Sequence, residues 1–422
     1  MIRRSWCGRC INRRQARAVC IFDAGGEQRI HPLFAQRRSA MNAGLFLDGL
    51  LGDERRKTGW MRAEAAGDPG PWRQQALLGR DHWSADALRD VVRGYVVEHL
   101  TDADAVLVIN GCAAKWINGF LKQGKSSCGV SRQYTGSAGK VTNCHIGVFA
   151  AYVSRHGHAF IDRAVYLPKS WADDRARLKA AYVGNDIGFA TEPRLAARMI
   201  ERAAATNVPF CWVAADTVYG VGRVEQVLRR AGKGYVLGVA STRALHFWGK
   251  PCATSGTAAE IAGTRQAADW HRLSAGTGAK GPRWYDWCYL ALADLDASEF
   301  NADATGTWTR GLLIRRRTDD GELAFFATWC PVGTSIQTLV QVQGRRWAIE
   351  DGFETAKDEL GLDHNEPRCW HGWHRHVSLV MLAFAMLAAI RKQANQVTPK
   401  KVRQRRAHSD RTDTLVGSGN PL

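Results

Sequence analysis

The chain of 422 residues is 45% hydrophobic and 23% charged, a balance that excludes a disordered polar chain and suits two or three domains. No run reaches the roughly 18–20 uninterrupted apolar residues of a membrane span, and eleven scattered cysteines lack the spacings of a disulfide framework. Lys and Arg outnumber Asp and Glu by 58 to 40, a net charge of +18 that directs attention to an anionic partner, most often nucleic acid.

Residues 1–28 hold six Arg before residue 18 and little apolar periodicity, and read as a basic, unstructured leader. Cys7 and Cys10 form one CxxC pair, but only Cys20 and His31 could complete it, so a zinc site is not expected. Residues 29–100 turn helical and are expected to form a DNA-binding domain. A Gly67-Asp68-Pro69-Gly70 break precedes a helix over 71–80, and Ser84 caps another that places Leu88, Val91, Val92, Tyr95 and Val96 on one face.

From residue 101 the texture changes to strands at 105–109, 146–153 and 159–167, the last two joined by a turn at His156-Gly157-His158. A helix at 192–204, a strand at 210–215, a helix at 220–230 and a strand at 235–240 follow. Three strands and then alternating helix and strand predict an α/β fold with a mixed sheet, residues 101–242 forming its first part. Strands at 288–292, 311–315 and 323–329, the last two joined by an Asp320-Gly321 turn, mark residues 243–330 as a β-rich insertion. Residues 331–395 return to helix and complete the core. Within them the apolar run 377–390 is short and flanked by His376 and Arg391, and reads as a buried helix. Residues 396–422 form a solvated basic tail containing Lys400, Lys401, Arg403, Arg405 and Arg406.

Two features carry chemistry. Asp216 directly follows a buried apolar strand, which places it at the carboxyl edge of the sheet, where α/β proteins build their sites; the same position also suits an Asp that merely caps the next helix. On a single helix, Gln343, Arg346, Glu350 and Lys357 would fall within roughly 60° of one another. Such a face offers a carboxylate for a divalent metal between two cations for the phosphates of a strand. Its bland reading is a solvated face with Glu350–Arg346 and Glu354–Lys357 salt bridges. His371, His374 and His376 interleave with Trp370 and Trp373 and read as a packed helix start. Residues 276–281 lack the ending of a P-loop, and residues 136–140 read as a turn.

The Arg346/Glu350/Lys357 spacing resembles the signature of DDE transposases of the IS-four group, with Gln343 where that signature has a Tyr. The words Ser131-Arg132-Gln133-Tyr134, Ala215-Asp216-Thr217-Val218-Tyr219-Gly220, Arg346-Trp347-Ala348-Ile349-Glu350 and Gly361-Leu362-Asp363-His364-Asn365-Glu366 are similar to the IS-seven-hundred-one branch, over residues 29–395 or so.

The resemblance implies an RNase H-like core in which three carboxylates hold two Mg²⁺ ions (or Mn²⁺), Asp216 as the second and Glu350 as the third. Arg346 and Lys357 would position the DNA strand, and Glu354 is the fallback for Glu350. It implies cleavage at the terminal inverted repeats of an insertion sequence and strand transfer into target DNA, by a homodimer in the bacterial cytoplasm at the nucleoid. The first carboxylate is missing. The strand Val106-Leu107-Val108-Ile109 leads into Asn110-Gly111 instead of Asp-Glu-Thr-Gly, and the match resumes at Gly119-Phe120-Leu121-Lys122. Ile-Asn-Gly occurs at both 109–111 and 117–119, as an insertion over the catalytic position would leave it. Asp102 and Asp104 fall at the opposite end of that strand. Impaired catalysis is therefore expected; the alternative is a catalytically dead remnant that still binds DNA.

Overall fold

A computed structural model describes residues 29–110, 119–135, 138–248, 252–278, 281–293 and 306–397. The leader with its CxxC pair, the stretch 111–118 after Asn110 and nearly all of the basic tail lie outside these residues.

Four helices come first: α1 (Arg37–Leu51), α2 (Gly59–Ala65), α3 (Trp72–Gly79) and α4 (Ala85–Leu100). The Ser84 hydroxyl accepts from Ala87 N at 3.1 Å, satisfying one of the amides that a helix start leaves open, and α4 buries Leu88, Val92, Tyr95, Val96 and Leu100. The strands β1 (Val106–Asn110), β2 (Gly119–Leu121), β3 (Ser131–Thr135), β4 (Lys140–Ser154) and β5 (Gly157–Val165) follow. Two short helices, α5 (Lys169–Ala172) and α6 (Arg175–Ala180), lead to α7 (Glu192–Ala205), β6 (Trp212–Ala215), α8 (Gly222–Arg230) and β7 (Gly234–Val239).

β4 is fifteen residues long and serves two sets of partners. Its first half pairs with β2 and β3, and its second half pairs antiparallel with β1 on one side and β5 on the other. β6 joins β1 in parallel and β7 joins β6 in parallel. The order β5-β4-β1-β6-β7, three antiparallel strands and then two parallel ones, is the RNase H-like mixed sheet that the sequence predicts. All five residues of β1 and all six of β7 are buried, as interior strands covered on both faces require.

The β-rich segment extends this sheet rather than standing apart. β8 (Ala244–Trp248) and β9 (Ala253–Thr257) form their own hairpin ahead of α9 (Ala258–Gly263). β10 (His271–Gly278), β11 (Gly281–Ala291), β12 (Trp308–Arg316) and β13 (Leu323–Pro331) then run antiparallel, and β13 pairs with β7. β13 buries residues 325–330 continuously, so its pattern is that of a strand inside a sheet.

The described residues end with α10 (Ile336–Arg345), α11 (Trp347–Asp358) and α12 (Trp370–Val397). At 28 residues α12 is twice the length of its apolar run, and among the described residues it alone is long and apolar enough to cross a membrane. It lies instead against α4, β5, α1 and α3, with 67% of its most apolar window buried. The helix continues through the polar stretch before residue 377 because that stretch is also buried and bonded. Arg375 donates to the carbonyls of Leu78 (3.0 Å) and Trp83 (2.9 Å), and His376 Nε2 lies 3.1 Å from Gly361 O. One continuous core cluster runs from Ile30 to Ile390.

Candidate functional site

Parallel pairing of β1 with β6 sets Ile109 beside Ala215, so the next residues, Asn110 and Asp216, leave the sheet side by side at its carboxyl edge. Neighbouring strands lie about 5 Å apart, and residues in register point to the same face. Asn110 also pairs with Phe149 of β4, whose ring meets Phe353 of α11 at 5.0 Å, so this face looks toward α11. Asn110 is completely buried, and neither Oδ1 nor Nδ2 has a hydrogen-bond partner among the described residues. Such an orphaned amide costs about 1–3 kcal/mol.

Asp216 is half-buried in a tight turn, with Val218 N donating to its Oδ1 at 3.0 Å and Tyr219 N to its carbonyl at 3.1 Å. Burial raises the carboxyl above its ordinary pKa, while the Val218 amide and the Arg346 charge act against that rise. The turn is pressed onto β7 through two glycines. A Cβ on Gly238 would stand 2.9 Å from the Asp216 carbonyl carbon and 2.8 Å from Thr217 N, and one on Gly220 would stand 1.8 Å from Gly238 O. Since β7 is paired on both sides, the turn must give way. Gly238→Ala is therefore expected to lower metal-dependent DNA cleavage about 100-fold, the size of effect that a displacement near 1 Å produces. A Gly238→Ala chain that is folded by circular dichroism and cuts at the parent rate would show that this contact does not position Asp216.

Glu350 comes from the first turn of α11. The single long helix expected across residues 343–357 is in fact two, meeting at Arg346, and Gln343 belongs to the earlier one, where it is buried. The physical reason lies at Gly344. It packs so closely on β10 that a Cβ would stand 2.2 Å from Ala275 O, and its carbonyl accepts a bond from Arg283 at 3.0 Å. Arg346 N then closes on Gln343 O at 3.1 Å, three residues back, and the helix axis restarts. The Arg346–Glu350 relation survives this break: Nη2 lies 2.9 Å from Oε1, while the Nη1 of Arg346 is buried without a hydrogen-bond partner among the described residues.

Burial raises the Glu350 pKa; Arg346 opposes the rise, the charge of Asp216 adds to it and Arg283 opposes it again. Asn110, Asp216, Glu350 and Arg346 thus form one neighbourhood. Lys357 stands two turns further along α11, about 10 Å up the axis, half-buried, and Glu354 is exposed. Arg283 and Arg315, from β11 and β12, also belong to this neighbourhood and were not anticipated from sequence. Arg283 bonds Ala275 O at 2.6 Å and lies over the Trp347 ring, and burial lowers the pKa of both guanidinium groups. The only signal for Arg315 was a charged residue directly after the apolar run Leu312-Leu313-Ile314.

The loop at residues 361–366 fastens distant parts of the chain. Lys122 reaches Asn365 O, Lys57 N donates to His364 Nδ1 and Gly59 N to Glu366 Oε2, both at 2.9 Å. Asp102 sits before β1, at the far end from Asn110, where Arg155 binds it at 2.6 Å and holds its carboxyl well below the usual range. His374 and His376 are packed into the core, and burial pushes each down to about 3.

A family model described as DDE superfamily endonuclease matches residues 29–287. That span includes Asn110 and Asp216 and ends before Glu350. No match to a curated protein was found.

Proposed function

Because the chain belongs to the DDE superfamily endonuclease family, we propose that it is an insertion-sequence transposase of the IS-four group, in its IS-seven-hundred-one branch, with catalysis weakened at Asn110. The observation that carries this reading is the meeting of Asp216 and Glu350 beside a buried Asn110 that has no partner among the described residues, at the carboxyl edge of β1 and β6. The helices of residues 29–100 would grip the terminal repeats, and two copies would bring the two ends together.

The donor set suits a hard divalent cation such as Mg²⁺ or Mn²⁺. It consists of two carboxylates whose burial favours the protonated form and an amide oxygen with no partner among the described residues. Asp216, Glu350 and Asn110 Oδ1 would hold it. When bound, such an ion supplies Lewis-acid stabilisation of charge at the scissile phosphate and a more acidic water.

The remaining work falls to the chain. Arg346 holds Glu350 in place and opposes the rise in its pKa, and its Nη1, which has no hydrogen-bond partner among the described residues, can donate to a phosphate oxygen of the strand. Lys357 extends this cationic track along α11. The neutral Asn110 supplies an oxygen but no charge, so the site lacks the third negative charge with which two metal ions are held together.

A labelled duplex ending in the repeats that flank the gene, incubated with Mg²⁺, tests the reading. Slow cleavage at the repeat end and none in a scrambled duplex is expected. Cleavage without preference for the end would point to a general nuclease. The neutrality of Asn110 favours a second reading, a remnant that binds DNA without cutting it. That reading would hold if this chain binds the ends but leaves them intact, and cleavage appears once a carboxylate is restored at position 110.

A further inference from the structure

At the outer edge of β5, away from the carboxylates, a cavity of about 150 Å³ opens between β5, α4, α7 and the start of α12. Four guanidinium groups line it, from Arg89, Arg163, Arg198 and Arg202, against a single lining carboxylate, Asp86. Asp162 and Asp90 sit behind the wall. Asp162 binds Arg202 at 2.8 Å, and Asp90 binds Arg89 and also Arg93. Five guanidinium groups therefore meet three carboxylates, and two positive charges stay uncompensated.

The two excess charges are placed to act together. Arg163 is 1% exposed; its Nε donates to Ser378 at 2.9 Å and its Nη1 to Asp86 at 2.8 Å, but its Nη2 is buried with no hydrogen-bond partner. Since Nη2 is enclosed, Arg163 acts on the cavity through its charge rather than through a free donor. Arg198 is exposed, and among the described residues no ion pair involves it. Trp370 and Leu195 give the cavity an apolar wall, which strengthens charge–charge attraction inside it.

We infer that this cavity is a subsite for one phosphate group of a DNA strand. The space is that of roughly five waters, enough for a phosphate and its oxygens, and guanidinium forks match phosphate geometry. The backbone register fixes its distance from the candidate site. Asn110 pairs with Phe149, and Phe149 pairs with Arg163, so the two residues stand in one row across the sheet, two strand spacings or about 10 Å apart. The Phe149 ring fills the sheet face between them against Phe353 and Trp373, so a strand would reach the cavity around α11 and α12 rather than across the sheet. The choice of DNA as the source of the phosphate rests on the proposed function; the phosphate site itself does not.

The test measures binding of the full chain to a fluorescent 30-base-pair duplex over a range of NaCl concentrations, without divalent metal. Arg198→Ala is expected to reduce the slope of log K against log salt by about 1, with Arg198→Lys restoring most of it. Arg163→Met, or Arg202→Gln if that variant does not fold, should reduce it by a similar amount. The double variant should also lose about 1 rather than 2, because both cations face the same phosphate. Unchanged slopes, or losses that add to 2, would overturn the inference. So would unchanged slopes accompanied by variants that no longer gain thermal stability from inorganic phosphate, since the cavity would then serve a free phosphate. Absence of cleavage would count against the proposed function alone and leave this measurement intact.

Discussion

Asn110→Asp is expected to raise Mg²⁺-dependent cleavage by roughly 10²–10⁴-fold, the range that one well-placed charged group contributes at a reaction centre. The substitution changes one amide nitrogen to oxygen, so the buried volume stays the same, and no hydrogen bond to the described residues is lost because the Asn110 side chain makes none with them. It places a third carboxylate next to Asp216, which Glu350 already senses as a like charge. Without metal the variant should therefore be less stable than the parent above about pH 5, since clustered carboxylates resist ionising together. Added Mg²⁺ should raise its melting temperature more than it raises the parent's. A variant carrying the full Asp-Glu-Thr-Gly-Phe word in place of residues 110–120 controls for the intervening stretch. If both variants bind Mg²⁺ and neither gains cleavage, position 110 is not the lost carboxylate.

Asp216→Asn should abolish cleavage, by at least about 10³-fold, and at the same time stabilise the fold. Its carboxyl has a raised pKa in the folded chain, chiefly through burial. The folded state thus prefers the protonated form, and its stability is greatest at low pH and falls as pH rises through the folded pKa. An amide at that position carries no charge to bury and can still accept the Val218 bond. At pH 8 without metal the variant should melt roughly 1–3 °C above the parent, and the gap should close on acidification toward pH 4. A variant that melts lower than the parent at pH 8 would show that Asp216 is held by favourable contacts and not strained by burial. Glu350 suits this measurement less well, because its removal takes the ion-pair partner from a half-buried Arg346.

The central sheet was legible because its strands are continuous apolar runs with few alternative fates. The stretches around Val108, Phe149, Ile161 and Val213 are buried on both faces, and each was recognisable from composition. β2 and β3 were not, since one spans three residues and the other exposes Arg132 and Tyr134 on a strand that pairs only with β4. The position of Asp216 at a strand end followed from the apolar run before it. The break at Arg346 did not, because its cause is a contact between Gly344 and Ala275, 69 residues earlier. Arg283 and Arg315 were missed for the same reason. Nothing local to β11 or β12 reveals that β13 docks on β7 and carries those strands to Glu350. Periodicity reports which face of an element is buried, but not which distant element buries it.

The position of α12 has a consequence for synthesis. β5 and α4 bury apolar surface against a helix that begins more than 200 residues after β5 ends. At 5–20 residues per second, a ribosome needs roughly 10–50 s to cover that distance. During that interval the sheet's outer edge is exposed to every neighbouring nascent chain. The late emergence of α12 therefore leaves that surface open to aggregation, and slow codons between residues 166 and 370 should lower the yield of soluble protein more than the same codons placed upstream.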